Sequence, residues 1–263
     1  MSKYWQAQHG AHRLQDDLLS ERNRTVTKEV CSVLCLPPEE RKMNAEDEIV
    51  QLIEGMAGKY SPYVIFADWV KMYAIAIQNA CSMQDKAWQA RESQYMDVSR
   101  KYDHKEMSTF CQMNALLVDA FEREISDYLG KIYMSLGAGN KRAGQFFTPF
   151  HVSLMTARIG MADIDKEWIE ENGIKLNEPS VGGGGMVLAT AQVIQDKGAN
   201  YQKCLEVVAQ DLDWNGVYMT YVQLSLTGIK AKVIQGNTLE ESEVNAYPRE
   251  RTLRTPARMG ALL

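Results

Sequence analysis

The stretch that most constrains this chain is NEPSVGGGGM at residues 177–186, an acid and a proline followed shortly by four consecutive glycines that open an apolar segment. A glycine turn where a strand passes into a helix lets backbone approach a ligand closely. The candidates are a nucleotide phosphate, a dinucleotide, a methyl donor, or a tight turn that holds nothing. A phosphate-cradling loop requires GxxxxGK and then Ser or Thr, whereas Met186 and Val187 stand where the lysine and hydroxyl belong. A dinucleotide turn requires GxGxxG, and counting from Gly182 or Gly183 puts Val187 or Leu188 at the third glycine. A carboxylate directly before the turn, Glu178, would repel a pyrophosphate and suits a cation.

The surroundings of the turn supply the rest of that argument. IKLNEPS (174–180) reads as a short strand and GMVLATAQVIQDKG (185–198) as a helix; CLEVVAQDLD (204–213) reads as a second strand ending in acids. The helix WNGVYMTYVQLSLTGI and a third strand, AKVIQGNTL, follow. Strand, helix, strand, helix, strand with a glycine turn after the first is the pattern of a parallel nucleotide-binding half-sheet, whose ligands sit beyond the carboxyl ends of the strands. S-adenosylmethionine carries an ammonium and a sulfonium. Glu178 is placed to meet the amine, Asp211 to bridge the ribose hydroxyls, Leu212 to pack on the adenine ring and Asn237 to reach its edge.

Ahead of this region the sequence has a different character. Residues 1–44 form a polar arm interrupted by LPPEERK (36–42), with one short helical stretch around Thr27 to Leu36. Residues 45–136 are long segments of helical period, and Phe66, Trp69, Val70, Tyr73, Ile77 and Cys81 draw one broad apolar face. A helical domain over 45–136 and a nucleotide-binding domain over 137–263 are therefore expected. The last helical run, MSTFCQMNALLVDAFEREISDYLGKIYMSL (107–136), reads as one uninterrupted element, and the charged run Arg91 to Lys105 as a solvated helix face.

Composition narrows the function classes. With net charge −5 no global basic field argues for nucleic acid, so a DNA contact must come from a local patch or a partner. Arg249, Arg251, Arg254 and Arg258 are such a local cluster near the end of the sequence, with a solvated tail as the alternative. No apolar run approaches the roughly 20 residues of a membrane span, and the first residues lack the layout of a signal peptide. A cytoplasmic protein without a membrane partner is expected. The five cysteines form no zinc-finger spacing with histidines, so no metal is expected.

Four segments together carry a resemblance. GNKRAGQFFTPFHVSLMTARI (139–159), NEPSVGGGGM, VVAQDLDWNGVYMTYVQLSLTGI and QGNTL resemble, in order and from about Ala45 to Leu239, the adenine-N6 DNA methyltransferases of type I restriction-modification systems. The resemblance implies an α/β fold with a helical N-terminal domain and a partial class I (Rossmann-like) methyltransferase domain that binds S-adenosylmethionine. It implies that Gln145, Phe146, Phe147, Thr148, Pro149 and Phe150 cover the methionine end of the donor, that Gly182, Gly183, Gly184 and Gly185 line its path behind Glu178 and Pro179, and that Asp211, Leu212 and Asn237 hold the adenosine. Thr148-Pro149 also reads as the start of a helix, and one of the two phenylalanines as core packing. DNA and a second methylase or specificity subunit are the implied partners.

The departures from that pattern set the functional expectation. Glu178 and Asn237 each replace an Asp, and Gly183 stands where Ser or Thr is common. The Asn/Asp/Ser-Pro-Pro-Tyr/Phe unit that holds a flipped adenine is missing: the only Pro-Pro is Pro37-Pro38, and NAYP (245–248) has neither the order nor a preceding apolar strand. The expectation is a donor pocket without a recognisable catalytic unit, on a sheet short of the strands of a complete methyltransferase. The alternative is a non-catalytic binding or regulatory protein acting on a complete restriction-modification enzyme.

Overall fold

Most helix starts are written in single capping residues. In the computed structural model, which describes residues 44–82, 86–137, 146–240 and 247–260, the Asn44 side chain accepts from Asp47 N at 2.8 Å and opens α1 (Ala45–Gly55). Ser61 with Pro62 behind it opens α2 (Pro62–Cys81), α3 is Trp88–Ser99, and Asp103 and Glu106 close a reciprocal capping box on α4 (His104–Arg123). Each such cap satisfies backbone N–H groups that the first turn leaves without a helical acceptor. The expected arm over 1–44 falls, but for Asn44, outside the described residues, as does Gln145.

The run over 107–136 is two helices rather than one. Glu124 turns extended, with φ −153° and ψ 143°, and ends α4; Ile125 tucks into the core; α5 (Tyr128–Gly137) starts afresh. Helical periodicity survives a break that inserts a few residues, so the pattern alone did not reveal it. The charged run over 91–105 is largely exposed, as expected, but two of its cations are tied inward: Arg91 donates to Asn79 Oδ1 at 2.8 Å, and Lys101 pairs at 2.9 Å with the largely buried Asp68.

Beyond residue 145 come α6 (Phe150–Gly160), α7 (Lys166–Asn172), β1 (Ile174–Glu178), α8 (Gly185–Asp196), α9 (Tyr201–Cys204), β2 (Leu205–Asp211), α10 (Trp214–Leu226) and β3 (Lys230–Gln235). β1 pairs in parallel with β2, Glu178 opposite Ala209, and β2 in parallel with β3, Asp211 opposite Gln235, so the three strand ends stand side by side. This is the expected α/β half-sheet. One addition was not expected: Thr252–Arg254 forms β4, antiparallel on β3, followed by α11 (Pro256–Met259). Two of the four terminal arginines are thereby fixed, Arg251 Nε donating to Gln235 O at 3.0 Å and Arg258 pairing with Glu206 at 2.9 Å. Among the described residues the sheet has four strands in the order β1-β2-β3-β4, with β1 at an edge.

One face of the sheet is dry. Leu205, Val207, Ala209, Ala231 and Val233 are buried in a hydrophobic cluster that also takes in Trp69, Met113 and Leu129 of the helical region. α10 packs against both β3 and α2, and so joins helices to sheet. The opposite face carries Lys175, Asn177 and Glu206, all exposed. Among the described residues no helix is long and apolar enough to cross a membrane, and no cluster of metal-ligating side chains occurs.

Candidate functional site

The backbone of the glycine turn requires glycine at two places. Gly182 has φ +56° and Gly184 φ +100°, a region where a side chain is disfavoured and a β-branched one is an outlier. Gly184 stands at the N-cap of α8. The turn is then tied on both sides. Val181 N donates to Gln210 O at 2.9 Å and Gly182 N to Asp211 Oδ2 at 2.8 Å, both at the end of β2. From α10, Thr220 Oγ1 donates to Gly182 O at 2.9 Å, and Gln223 Nε2 donates to Gly183 O.

A cavity of about 360 Å³ opens beside this turn. Of the residues expected at a donor site, Phe146, Phe147, Thr148, Glu178, Gly182, Gly183 and Gly185 line it together. Phe147 lies over the turn: a Cβ on Gly182 would come within 2.8 Å of its ring, and the ring is held at 4.8 Å from that of Tyr133. Phe146 is 85% exposed. Pro149, not Thr148, is the N-cap of α6, with Phe150 its first residue, and among the described residues no side chain caps that helix. Glu178 Oε1 accepts from Ser180 N at 3.3 Å.

Pro149, Phe150, Pro179, Gly184, Asp211, Leu212 and Asn237 do not line that cavity. Asp211 borders it through its bond to Gly182 N, while its other oxygen accepts from Asp213 N at 2.9 Å. Leu212 is 66% exposed just beyond β2. Asn237 folds its side chain onto Leu239 N at 3.1 Å, and its neighbour Thr238 donates to Pro179 O at 2.8 Å, joining the ends of β3 and β1.

Three polar residues that the sequence did not single out complete the site. Asp127, between α4 and α5, is buried and lines the cavity; its Oδ1 accepts from Gly130 N at 2.9 Å and from Gln223 Nε2 at 2.8 Å. Gln223, fully buried in α10, also accepts from Leu129 N at 3.1 Å, so one amide joins the helical region, Asp127 and the glycine turn. Ser153 in the first turn of α6 is the third, buried and facing the same cavity. The only local signal was the Asp-x-x-Gly spacing of Asp127 and Gly130 before an apolar run, which reads as a cap.

Burial pushes the Asp127 carboxyl above the usual carboxylate range, while the Gln223 amide, Gly130 N–H and the charge of Lys131 pull it back. A group whose folded pKa is raised stabilises the fold below its unfolded value, about 3.9 for Asp, and loses that contribution as pH rises through the folded value. Asp127→Asn cannot ionise and keeps an acceptor for Gly130 N. Its stability relative to the parent chain should therefore increase as pH is raised from about 4 toward neutrality, a trend that denaturant melts at several pH values would read.

Among curated proteins none matches the chain. Among solved structures it is similar to the methyltransferase subunit of a type I restriction-modification system from Streptococcus thermophilus, at 12% identity over 78% of this chain and 59% of that one, TM-score 0.42. It is also similar to a protein from Listeria monocytogenes assigned as a class I S-adenosylmethionine-dependent methyltransferase, at 12% identity over 74% and 54% of the two chains, TM-score 0.40. The chain thus spans between half and three fifths of the length of these two proteins. Residues 119–254, from the end of α4 through the glycine turn to β4, match the family model described as N-6 DNA Methylase. That segment is just over half of the sequence and holds Asp127, the glycine turn and the ends of all three parallel strands, and by it the chain belongs to the N-6 DNA methylase family.

Proposed function

We propose that this chain binds S-adenosylmethionine at the glycine turn and serves adenine-N6 DNA modification, with the contacts to the target base supplied by another polypeptide, a second methylase or a specificity subunit. The observation that carries the reading is the turn itself. Its backbone is fixed by Asp211 on one side and by Thr220 and Gln223 on the other, and it borders a cavity that a side chain at Gly182 or Gly183 would begin to fill. Such a cradle fits a donor brought close to the backbone. When bound, the donor supplies a methyl group on a sulfonium. The chain's own residues bind and orient it: Phe147 closes the turn, Glu178 and Asp127 put carboxylates at the cationic end, and Asp211 and the exposed Leu212 stand where ribose and adenine extend along the strand ends.

The second reading, a non-catalytic protein that regulates a complete restriction-modification enzyme, is favoured by one observation. The sequence contains no Asn/Asp/Ser-Pro-Pro-aromatic unit to hold and stack a flipped adenine.

Calorimetric titration with S-adenosylmethionine should give saturable binding. Asp211→Ala should weaken it about 10–100-fold, because ribose loses charge-assisted hydrogen bonds and Gly182 N loses its acceptor. No binding at millimolar donor removes the cofactor from the reading. Labelled donor incubated with adenine-rich duplex DNA should give incorporation at background. Robust transfer by the chain alone would show that the base contacts are already in it and would exclude the regulatory alternative.

A further inference from the structure

The four arginines that follow Tyr247 are of two kinds. Arg251 and Arg258 have partners, the first on Gln235 O and the second on Glu206. Arg249 and Arg254 differ: among the described residues neither guanidinium makes a hydrogen bond or an ion pair. Both instead line a recess of about 420 Å³ bounded by β3, β4 and the end of α2. Lys232 of β3 is its third cation, and among the described residues that line it there is no Asp or Glu. In a chain of net charge −5, three cations gathered in one recess are a local reversal of sign.

The recess is built into the fold. Lys232 and Arg254 are direct partners across the antiparallel pair of β3 and β4, on the face turned away from the buried Ala231 and Val233. Like charges directly opposite one another weaken such a pair. Burial, and after it the charges of Arg254 and Arg258, hold the Lys232 ammonium below its ordinary value. The frame around them is nevertheless fixed. Arg254 N donates to the Gln78 side-chain oxygen of α2 at 3.1 Å, and Thr255 N to Ala231 O at 3.1 Å. Tyr247 is buried in the adjoining wall: its hydroxyl accepts from Gln210 Nε2, and its ring lies so close on Gly236 that a Cβ there would collide with it. Cations pressed together on a rigid frame are relieved by an anion placed between them. Guanidinium forks match phosphate oxygens in pairs, and the charge of several cations is balanced by a phosphate chain rather than by one carboxylate.

We infer that this recess is a binding site for a small polyphosphate, inorganic pyrophosphate or the diphosphate of a nucleotide, held by the guanidiniums of Arg249 and Arg254 together with the Lys232 ammonium. Its volume falls within the roughly 300–1,000 Å³ of small-molecule sites. A duplex backbone suits it less, because a duplex asks for cations in a row along a surface. Here Arg251 and Arg258 are engaged, Glu250 follows Arg249 directly, and the chain as a whole is acidic. The inference is independent of the donor reading, since the two cavities share no lining residue.

The test is calorimetry of the full chain with inorganic pyrophosphate, ADP, a short duplex DNA and S-adenosylmethionine, on the parent protein and on Arg249→Gln, Arg254→Gln and Arg258→Gln. Pyrophosphate should saturate the parent below millimolar concentration. Arg249→Gln and Arg254→Gln should each weaken it about tenfold or more, as expected for losing a hydrogen bond between charged groups. Arg258→Gln, which removes an arginine already engaged by Glu206, should leave it within about threefold. Arg254→Gln also removes the like charge opposite Lys232, so its melting temperature without ligand should hold or rise while pyrophosphate affinity falls. Should that variant fold poorly, Arg254→Lys keeps the charge but not the fork and should lose affinity at an unchanged melting temperature. ADP binding more tightly than pyrophosphate identifies a nucleotide as the ligand; equal affinities show that the phosphates are all that is read, and both outcomes support the site. No pyrophosphate binding at millimolar concentration, or an affinity that neither arginine changes, overturns it. Equal losses for S-adenosylmethionine and pyrophosphate overturn it too, by showing that the substitutions disturb the whole chain. Duplex DNA that binds more tightly than pyrophosphate and is lost with Arg249 or Arg254 overturns it as well and gives the cluster to a nucleic-acid backbone.

Discussion

Gln223→Leu is expected to lower the unfolding free energy by about 3–9 kcal/mol, since each buried group left without its partner costs about 1–3 kcal/mol. Three groups are affected: Leu129 N loses its acceptor, and Gly183 O and the Asp127 carboxylate each lose a donor. Leucine fills a similar volume and adds apolar contact, so the loss reports the polar junction rather than a cavity. For a chain of this size the melting temperature should fall on the order of 10 °C. Thr220→Val is the graded comparison, because it removes only the bond to Gly182 O and should cost about 1–2 kcal/mol. A loss below about 1 kcal/mol in the leucine variant would mean that the junction does not hold the helices to the turn. Because Gln223 joins Leu129 in α5 to Gly183 in the turn, the same variant should loosen the donor cavity before the sheet unfolds.

Gly184→Val is expected to remove donor binding, a loss of at least about 100-fold, while the helical content stays near that of the parent. At φ +100° valine cannot keep the native backbone, and the Cβ would lie 3.3 Å from Thr220 Oγ1. Relieving that strain, on the order of 1–3 kcal/mol, requires the turn to rotate. Rotation moves Gly182 and Gly183, which do line the cavity, away from their anchors on Asp211 and Gln223. Circular dichroism would follow the fold and calorimetry the donor. Normal donor affinity in this variant would identify the glycine run as a turn and nothing more. Gly184→Ala, with a smaller group in the same strained backbone, should lie between the two.

The elements that sequence reasoning located are those whose information is local. Asn44, Ser61, Asp103 and Asp213 each cap the helix that follows, through bonds spanning two or three residues. The alternation of β-branched strands with apolar helices fixed the parallel half-sheet, and with it the side-by-side ends of β1, β2 and β3. The glycine run announced the turn, since two of its positions need a conformation that other residues rarely adopt. Asp211 was legible for the same reason: an acid ending the second strand of such a sheet has to lie beside the turn after the first.

What the sequence left open depends on segments far apart in the chain. Thr252–Arg254 reads as part of a basic tail because three residues carry no period, and only the unpaired edge of β3 makes them a strand. The break at Glu124 is invisible to periodicity because both halves remain apolar on one side, yet it is what delivers Asp127 to the turn. Asp127, Ser153, Gly183 and Gln223 meet from four separate elements, and no spacing rule connects residues so far apart. By itself the sequence determined which backbone conformations each segment prefers, through caps, periodicity and glycine. The tertiary structure alone decided which buried polar groups face one another, because that follows from how α5, α6 and α10 pack around the turn, and a polar side chain acquires its partner only when packing has excluded water from both.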